Sequence, residues 1–161
     1  MAIDVTKLSR DDVRPIPSGA VPFIKRMMHV ATRLHVKLFE VTQGRLGKTF
    51  AGAPCCMVRM TGRKSGKPRT IPLIYIPDGD DVILIASQGG MEKNPTWVYN
   101  LSANPNVEII VEGRTRKMVA RRADDAEKAK RWPVGVAVYP DFDQYQARTE
   151  RDIPLFVCSP V

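Results

Sequence analysis

The pattern of apolar positions predicts one long helix near the start of the chain. From residue 23, apolar side chains recur at helical spacing, at Phe23, Met27, Val30, Leu34, Leu38 and Val41. Basic residues lie mostly elsewhere around the helix axis, at Lys25, Arg26, Arg33 and Lys37. We predict an amphipathic helix over residues 21–43, ended by Gly44 and Gly47. We favour packing of its apolar face on the core, as a lid on a sheet; the alternative is a basic helix that lies on a membrane or contacts an acidic partner.

Alternation of apolar and polar residues predicts strands in the rest of the chain. Residues 54–61 (PCCMVRMT), 69–76 (RTIPLIYI) and 81–87 (DVILIAS) form a predicted meander, with a turn at residues 78–80. Pro72 marks an edge or irregular position in the second strand. Residues 107–122 predict a hairpin that turns at Glu112 and Gly113, and residues 153–158 predict a last strand.

Two further helices are predicted between these strands. Asn94 is a good N-cap and Pro95 a good first residue for a short helix, and Asp124 with Asp125 starts a second helix that Pro133 interrupts. Short strands with inserted helices indicate an α+β fold, built on an antiparallel barrel or a strongly curved sheet. Residues 1–20, rich in proline towards their end, are predicted to be a flexible arm before a single domain over residues 21–161.

Composition narrows the possible partners. The 161 residues carry a net charge of +8, which favours an anionic partner such as nucleic acid, a membrane surface or an acidic small molecule. An aromatic content of 7% and the lack of a recognisable motif argue against nucleic acid. The sequence shows neither a secretion signal nor an apolar run long enough to span a bilayer, so we expect a cytoplasmic protein.

The cysteines and histidines predict no metal site. Cys55 and Cys56 are adjacent, which is unsuited to an ordinary disulfide, and with Cys158 they form no CxxC motif, so we expect three buried small hydrophobes. His29 and His35 are six residues apart and point in different directions on the predicted helix.

The stretch TGRKSGKPR is suited to holding an anion. It is not a P-loop, because Gly62 and Gly66 enclose three residues and Lys67 is followed by Pro68. It is a turn that offers backbone N–H groups, a hydroxyl and basic side chains, at Arg63, Lys64, Ser65, Lys67 and Arg69. A solvated hairpin with a basic tip explains the stretch equally well.

A second stretch, ASQGGMEKNPTWVYN, places a strand end, two glycines and a helix N-terminus in succession. The glycines let a ligand approach the backbone, and the helix terminus favours negative charge. Trp97 and Asn100 share one face of that helix and present a flat apolar surface beside an amide. The alternative is that Trp97 is a core residue and Asn100 a cap.

These stretches, in this order, resemble the deazaflavin-dependent nitroreductase family of actinobacteria, which uses coenzyme F420. The resemblance rests on TGRKSGKPR, IPL, DGDDVILIAS, EKNPTWVYNLSANP, WP, YPDFDQYQ and IPLFVCSP, and covers roughly residues 50–160. It implies a split β-barrel like that of the FMN-binding pyridoxamine-oxidase proteins, with the deazaflavin in a groove over the barrel.

The resemblance also implies a set of coenzyme-binding residues. Lys64 and Arg69 would hold the anionic tail, and the whole set is Arg63, Lys64, Ser65, Arg69, Thr70, Ile71, Pro72, Leu73, Ile85, Ala86, Ser87, Gln88, Thr96, Trp97 and Asn100. The family often has a lysine where this chain has Gln88, so a hydrogen bond would replace a charge there and coenzyme affinity could be lower.

The implied activity is hydride transfer from reduced deazaflavin to an electron-poor acceptor. The resemblance places Ser87, Tyr139 and Tyr145 near the acceptor as candidate proton donors. Ile74 and Phe142 stand where nitroimidazole-reducing relatives have tyrosines, so we expect an apolar acceptor, a quinone or enone, in preference to a nitroaromatic compound. For the tyrosines, packing at a helix boundary is the alternative.

Other functions remain open at this point. They are an FMN-dependent reductase on the same barrel, a non-catalytic carrier of F420, and a nucleic-acid-binding module. The predicted N-terminal helix would give a peripheral contact with a membrane in which lipid quinones reside. The sequence does not indicate an oligomeric state.

Overall fold

The computed structural model describes residues 17–42, 49–50 and 52–161. In chain order its helices and strands are α1 (Val21–Val41), β1 (Thr49–Phe50), β2 (Ala53–Thr61), β3 (Pro68–Ile74), β4 (Ile76–Asp78), β5 (Asp81–Ile85), α2 (Thr96–Ala103), β6 (Asn106–Val111), β7 (Arg114–Arg122), α3 (Asp125–Val138), α4 (Asp141–Arg148) and β8 (Leu155–Pro160). Short 3-10 turns lie at Ser18–Ala20 and Gln88–Gly90.

The strands form one antiparallel sheet that curls into a split barrel. Its order is β1-β2-β6-β7-β8-β5-β4, and β3 pairs with β2. Only Tyr75 separates β3 from β4, so this bent segment joins the β2 end of the sheet to the β5 end. The sheet thereby closes on itself, which confirms the predicted α+β barrel.

The turns between strands follow the sequence signals. Val111 pairs with Arg114, and Glu112 and Gly113 between them have φ of 48° and 79°. A two-residue hairpin loop whose twist matches its strands needs positive φ at both positions, and glycine adopts that conformation without strain. The predicted hairpin is therefore confirmed. Pro72 lies in β3, which pairs with β2 alone among the described strands, so the predicted edge position is also confirmed.

The core lies on both faces of the sheet. Inside the barrel, Val82 and Leu84 of β5 pack with Trp97 and Phe156. On the outside, Ile83 of β5 belongs to a second apolar cluster under α3 and α4. This alternation along β5 buries both of its faces, which explains its continuous apolar sequence. The three cysteines are buried and free, as predicted.

Two helix boundaries differ from the sequence predictions. The short helix α2 begins at Thr96 with Pro95 in the cap position, and the Asn94 side chain accepts a hydrogen bond from Arg151 instead of capping the helix. Pro133 lies inside α3, which continues to Val138. A proline near the middle of a helix is tolerated where tertiary packing compensates, and Gly135 and Val136 press this part of α3 against the second cluster.

The predicted packing of α1 is wrong. The helix exists, but its apolar stripe faces outward: Phe23 is 67% exposed and Leu34 64% exposed. The helix lies along β3 and contacts it through the side that includes the buried Phe39. That side is about a third of a turn around the helix axis from the apolar stripe. Gly44, Gly47 and the first 16 residues of the predicted arm lie outside the described residues, whereas residues 18–20 form a 3-10 turn that leads into α1.

Candidate functional site

The basic turn between β2 and β3 is closed by its own backbone. Gly62 N–H donates to the Lys67 carbonyl at 2.9 Å, and Gly66 N–H donates to the Gly62 carbonyl at 2.8 Å. Gly66 has a φ of 65°, and a Cβ atom at Gly62 would lie 3.0 Å from the Ser65 hydroxyl. Both glycines are therefore required by the shape of the turn.

Helix α2 fixes the position of this turn. The Asn100 side chain is only 7% exposed, and its Oδ1 accepts a hydrogen bond from Arg63 N–H at 3.1 Å. Its Nδ2 lies 3.7 Å from the sulfur of Met60 at the end of β2. The Arg63 guanidinium lies over the Tyr99 ring at 5.1 Å. The amide of Asn100 is thus occupied in holding the turn.

Among the described residues, the positive charges of the turn have no carboxylate partner. Lys64, Lys67 and Arg69 are exposed, and within the described ranges none of them forms an ion pair. Elsewhere arginines do pair: Arg59 with Glu108 at 2.8 Å, and Arg131 with Asp81 at 3.1 Å. A turn held in place with cations that no described carboxylate pairs is suited to a ligand with several negative charges.

The segment from Ala86 to Asn94 is the second part of the site. Its backbone has positive φ at Gln88 (45°), Gly89 (65°) and Gly90 (76°). A Cβ atom at Gly90 would lie 2.7 Å from the Tyr145 carbonyl, so α4 packs directly on the turn. The Ser87 hydroxyl forms no hydrogen bond with any residue that the structure describes, and the buried Oε1 of Gln88 likewise has no partner there.

Two arginines hold this segment, and sequence analysis missed both. Arg151 donates to the carbonyls of Ala86, Ser87 and Met91 and to the Asn94 side chain. Arg148 donates to the Gly89 carbonyl at 3.0 Å. Both lie about 60 residues from their acceptors, a separation that no periodic pattern or local motif reports.

A group of aromatic side chains from α3 and α4 packs beside this segment. The hydroxyls of Tyr139 and Tyr145 are 3.0 Å apart, and the Tyr139 and Phe142 rings meet edge to face at 5.2 Å. Burial, and then the hydrogen bond to Tyr145, raise the pKa of Tyr139 far above its usual value. Ile74 packs on the same cluster, whereas Phe142 is 2% exposed and lies beneath the others.

The remaining predicted residues divide into surface and core positions. Residues 70–73 are half-buried along β3, and Thr96 is exposed at the start of α2. Ile71 and Leu73 pack on the barrel interior. In contrast, the side chains of Ile85, Ala86 and Trp97 are buried in the core, and Trp97 packs on Phe156 at 5.5 Å. The coenzyme-binding roles of all these residues stay predictions.

Two kinds of feature are missing from the described residues. No cluster of three or more His, Cys, Asp or Glu side chains is arranged to hold a metal ion. Among the described helices, none has the length and apolar character needed to cross a bilayer.

Comparison with known proteins identifies the family. Residues 31–160 match the family described as F420H(2)-dependent quinone reductase. One such reductase from Mycobacterium tuberculosis H37Rv is 37% identical over 129 residues, covering 78% of this chain and 87% of that protein. A solved F420-H2-dependent reductase (FDR-A) superposes with a TM-score of 0.62 at 34% identity, covering 66% of this chain and 94% of that one. A solved structure described as a domain-swapped dimer superposes with a TM-score of 0.65 at 30% identity, covering 79% and 96%. The chain therefore belongs to the F420H2-dependent quinone reductase family, and its coenzyme is F420.

Proposed function

We propose that this protein reduces quinones with F420H2, and that the basic turn and the segment 86–94 bind the coenzyme. The observation that carries the assignment of the site is the charge of Lys64, Lys67 and Arg69, which no described carboxylate pairs, on a turn that Asn100 holds in place. Several uncompensated cations on a preorganised turn favour a ligand with several negative charges, and the F420 tail is such a ligand.

The coenzyme-binding residues act at successive positions along the groove. Lys64 and Arg69 hold the acidic tail, with Arg63 and Ser65 beside them. Residues 70–73 and Thr96 contact the middle of the molecule. The Ser87 hydroxyl and the Gln88 amide oxygen, which have no hydrogen-bond partner among the described residues, meet the part nearest the ring. Reduced F420, when bound, supplies the hydride for the reaction. The protein's main contribution is to position donor and acceptor in contact.

Reduction of a quinone to a quinol takes two electrons and two protons. The hydride brings both electrons and one proton, and the second proton must come from another group. We assign proton supply to Tyr139, Tyr145 and Ser87. The two phenols form a hydrogen-bonded pair with their oxygens 3.0 Å apart, through which a proton can pass to the acceptor. Ile74 and the buried Phe142 make this region apolar, which favours quinones and enones over nitroaromatic acceptors.

Two other functions are compatible with the same barrel. An FMN-dependent reductase would need a site for a single phosphate, and a non-catalytic carrier would bind F420 without turnover. The family and the extended basic turn favour F420 over FMN. Turnover of a quinone separates the reductase from the carrier.

The exposed apolar face of α1 suggests that the protein meets its quinone acceptor at a membrane surface. Phe23, Leu34 and the rest of the apolar stripe are exposed, and Arg26, Arg33 and Lys37 are exposed near it. An apolar strip flanked by cations complements an anionic bilayer, in which lipid quinones dissolve. We propose peripheral contact with the inner face of the cytoplasmic membrane through α1. A second copy of the chain is the alternative occupant, since one solved relative is described as a domain-swapped dimer.

Titration with F420 followed by a turnover assay tests the proposed function. Binding is followed by tryptophan fluorescence, and oxidation of F420H2 by a soluble quinone is followed by the coenzyme's visible absorbance. Each charge-assisted hydrogen bond contributes roughly 1.5–3 kcal/mol, so the double variant Lys64→Ala with Arg69→Ala should lose at least roughly a hundredfold in F420 affinity.

The matched control is Arg114→Ala with Lys117→Ala, which removes the same charge from exposed positions on β7. It should bind F420 like the unaltered protein. Equal affinity of the two double variants would overturn the assignment of the basic turn. Tighter binding of FMN than of F420, with turnover, would favour the FMN-dependent reductase.

A further inference from the structure

The guanidinium of Arg151 is surrounded by the segment 86–94, and all three of its nitrogens donate hydrogen bonds to that segment. Nε donates to the Met91 carbonyl at 2.6 Å, and Nη1 donates to Asn94 Oδ1 at 2.8 Å. Nη2 donates to the carbonyls of Ala86 at 2.9 Å and Ser87 at 2.7 Å. All four distances are those of good charge-assisted hydrogen bonds.

The four acceptors span the whole segment. Ala86 and Ser87 follow β5, Met91 follows the 3-10 turn, and Asn94 lies just before α2. Within the segment the backbone forms two hydrogen bonds of its own, from Gly90 N–H to the Ser87 carbonyl and from Met91 N–H to the Gln88 carbonyl. Gln88, a non-glycine residue, nevertheless has a φ of 45° between these points. Such a backbone conformation persists where the surroundings impose it, and Arg151 makes the largest share of the hydrogen bonds that do so, beside the single bond from Arg148 and the packing of α4 on Gly90.

We propose that Arg151 is the positioning residue of the coenzyme site, setting the place of Ser87 and Gln88 relative to the basic turn. This inference rests on the proposed function. Arg151 holds Asn94, two residues before the start of α2, and Asn100 within α2 holds Arg63 of the turn. One guanidinium is thereby linked through one short helix to both parts of the site.

The role requires the shape of a guanidinium as well as its charge. Three nitrogens in one plane reach acceptors on three sides, whereas the single ammonium of lysine cannot reach all four. Burial lowers the pKa of Arg151, but an arginine stays protonated in a protein. Lysine at position 151 therefore preserves the charge and loses the geometry.

Arg148 provides a matched comparison. It contacts the same segment from α4 and lies over the Tyr145 ring at 5.6 Å, but it donates a single hydrogen bond there, to Gly89. Its Nε is buried without a partner among the described residues. Replacement of Arg148 by lysine should therefore disturb the segment much less than the same change at Arg151.

The test uses Arg151→Lys, Arg151→Ala and Arg148→Lys in the full chain. Each is measured for F420 affinity, KM for F420H2, KM for a soluble quinone and melting temperature. For Arg151→Lys we expect Kd and KM for the coenzyme to rise about tenfold or more, with the quinone KM changed less than about twofold. For Arg148→Lys the coenzyme KM should rise less than about threefold. Millimolar guanidinium, but not ethylammonium, should restore coenzyme binding to Arg151→Ala.

The outcomes separate this inference from the proposed function. Failure of the unaltered protein to bind F420H2 overturns both. Normal binding by the unaltered protein with equal KM increases for both substrates in Arg151→Lys overturns the positioning role alone. The same conclusion follows if coenzyme affinity is unchanged in Arg151→Lys, or if Arg151→Ala is folded and guanidinium does not rescue it.

Discussion

At the scale of single residues, side chains that contact other parts of the protein organise the site. Asn100 shows this most clearly, because its amide oxygen is occupied by Arg63 N–H and its side chain is almost fully buried. The sequence correctly predicts that Asn100 lies on the helix beside the candidate site, but its hydrogen bond to Arg63 gives it the role of holding the basic turn. The coenzyme contact that the family resemblance implies would have to share these atoms.

We predict that Asn100→Leu weakens coenzyme binding through the turn. Leucine preserves the volume but leaves Arg63 N–H without its acceptor, which should lower the free energy of unfolding by roughly 1–3 kcal/mol and raise the KM for F420H2 about tenfold. Steady-state kinetics and urea unfolding measure the two effects. Ser102→Ala on the exposed side of the same helix is the control, and a coenzyme KM as low in Asn100→Leu as in this control would contradict the prediction.

Local spacing and distant contacts explain which site residues the sequence could predict. Gly62 and Gly66 with the intervening cations form a local pattern, so the turn was predictable. Arg151 was not, because its acceptors are 57 to 65 residues away along the chain. The same contact explains why the prediction of Asn94 as the N-cap is wrong. Its side-chain oxygen accepts a hydrogen bond from Arg151 instead of from the backbone at the start of α2.

At the scale of elements, periodicity predicts that a helix forms but not which side of it is buried. The predicted stripe of α1 is strongly apolar, yet the helix contacts β3 through a different side that includes Phe39. Strands were easier to predict, because turns with Gly79 and Gly113 fix their ends. For α1, the buried side chain is Phe39, which does not belong to the apolar repeat from which the helix was predicted.

The exposed stripe leads to a prediction about anionic membranes. The protein should sediment with vesicles that contain phosphatidylglycerol, and Leu34→Asp should reduce the bound fraction about tenfold, because a buried carboxylate is costly in the interfacial layer. Raising the salt concentration should also weaken binding, since the flanking cations act through screened electrostatics.

The control is Val119→Asp, which changes an exposed apolar residue on β7 in the same way. It should leave vesicle binding unchanged. If Leu34→Asp instead abolishes a dimer seen by analytical ultracentrifugation and leaves vesicle binding intact, a second copy covers α1 and the membrane proposal fails.

At the scale of the whole molecule, closure of the barrel controls the chemistry of its buried thiols. The bend at Tyr75 joins the two ends of the sheet and encloses Cys56 and Cys158 in its interior. Burial raises the pKa of Cys158 to about 12 and that of Cys55 to about 11, from an ordinary value of 9.0. The pKa of Cys56 is raised further, first by burial and then by its neighbouring thiols. All three stay protonated in the folded protein at neutral pH.

Stability should therefore fall in alkaline solution. The unfolded chain releases these thiol protons above about pH 9 while the folded chain retains them, so the free energy of unfolding should decrease by up to about 1.4 kcal/mol per pH unit for each buried thiol. The effect is absent below the unfolded pKa and grows until the folded pKa is reached. Urea unfolding with a reductant present, at about pH 8, 9 and 10, measures it. Cys158→Ala will be less stable at every pH because of the cavity it leaves. Its free energy of unfolding should nevertheless fall less steeply with pH, because one buried thiol fewer contributes to the decrease. Equal slopes for the two proteins would mean that the barrel does not exclude water from Cys158.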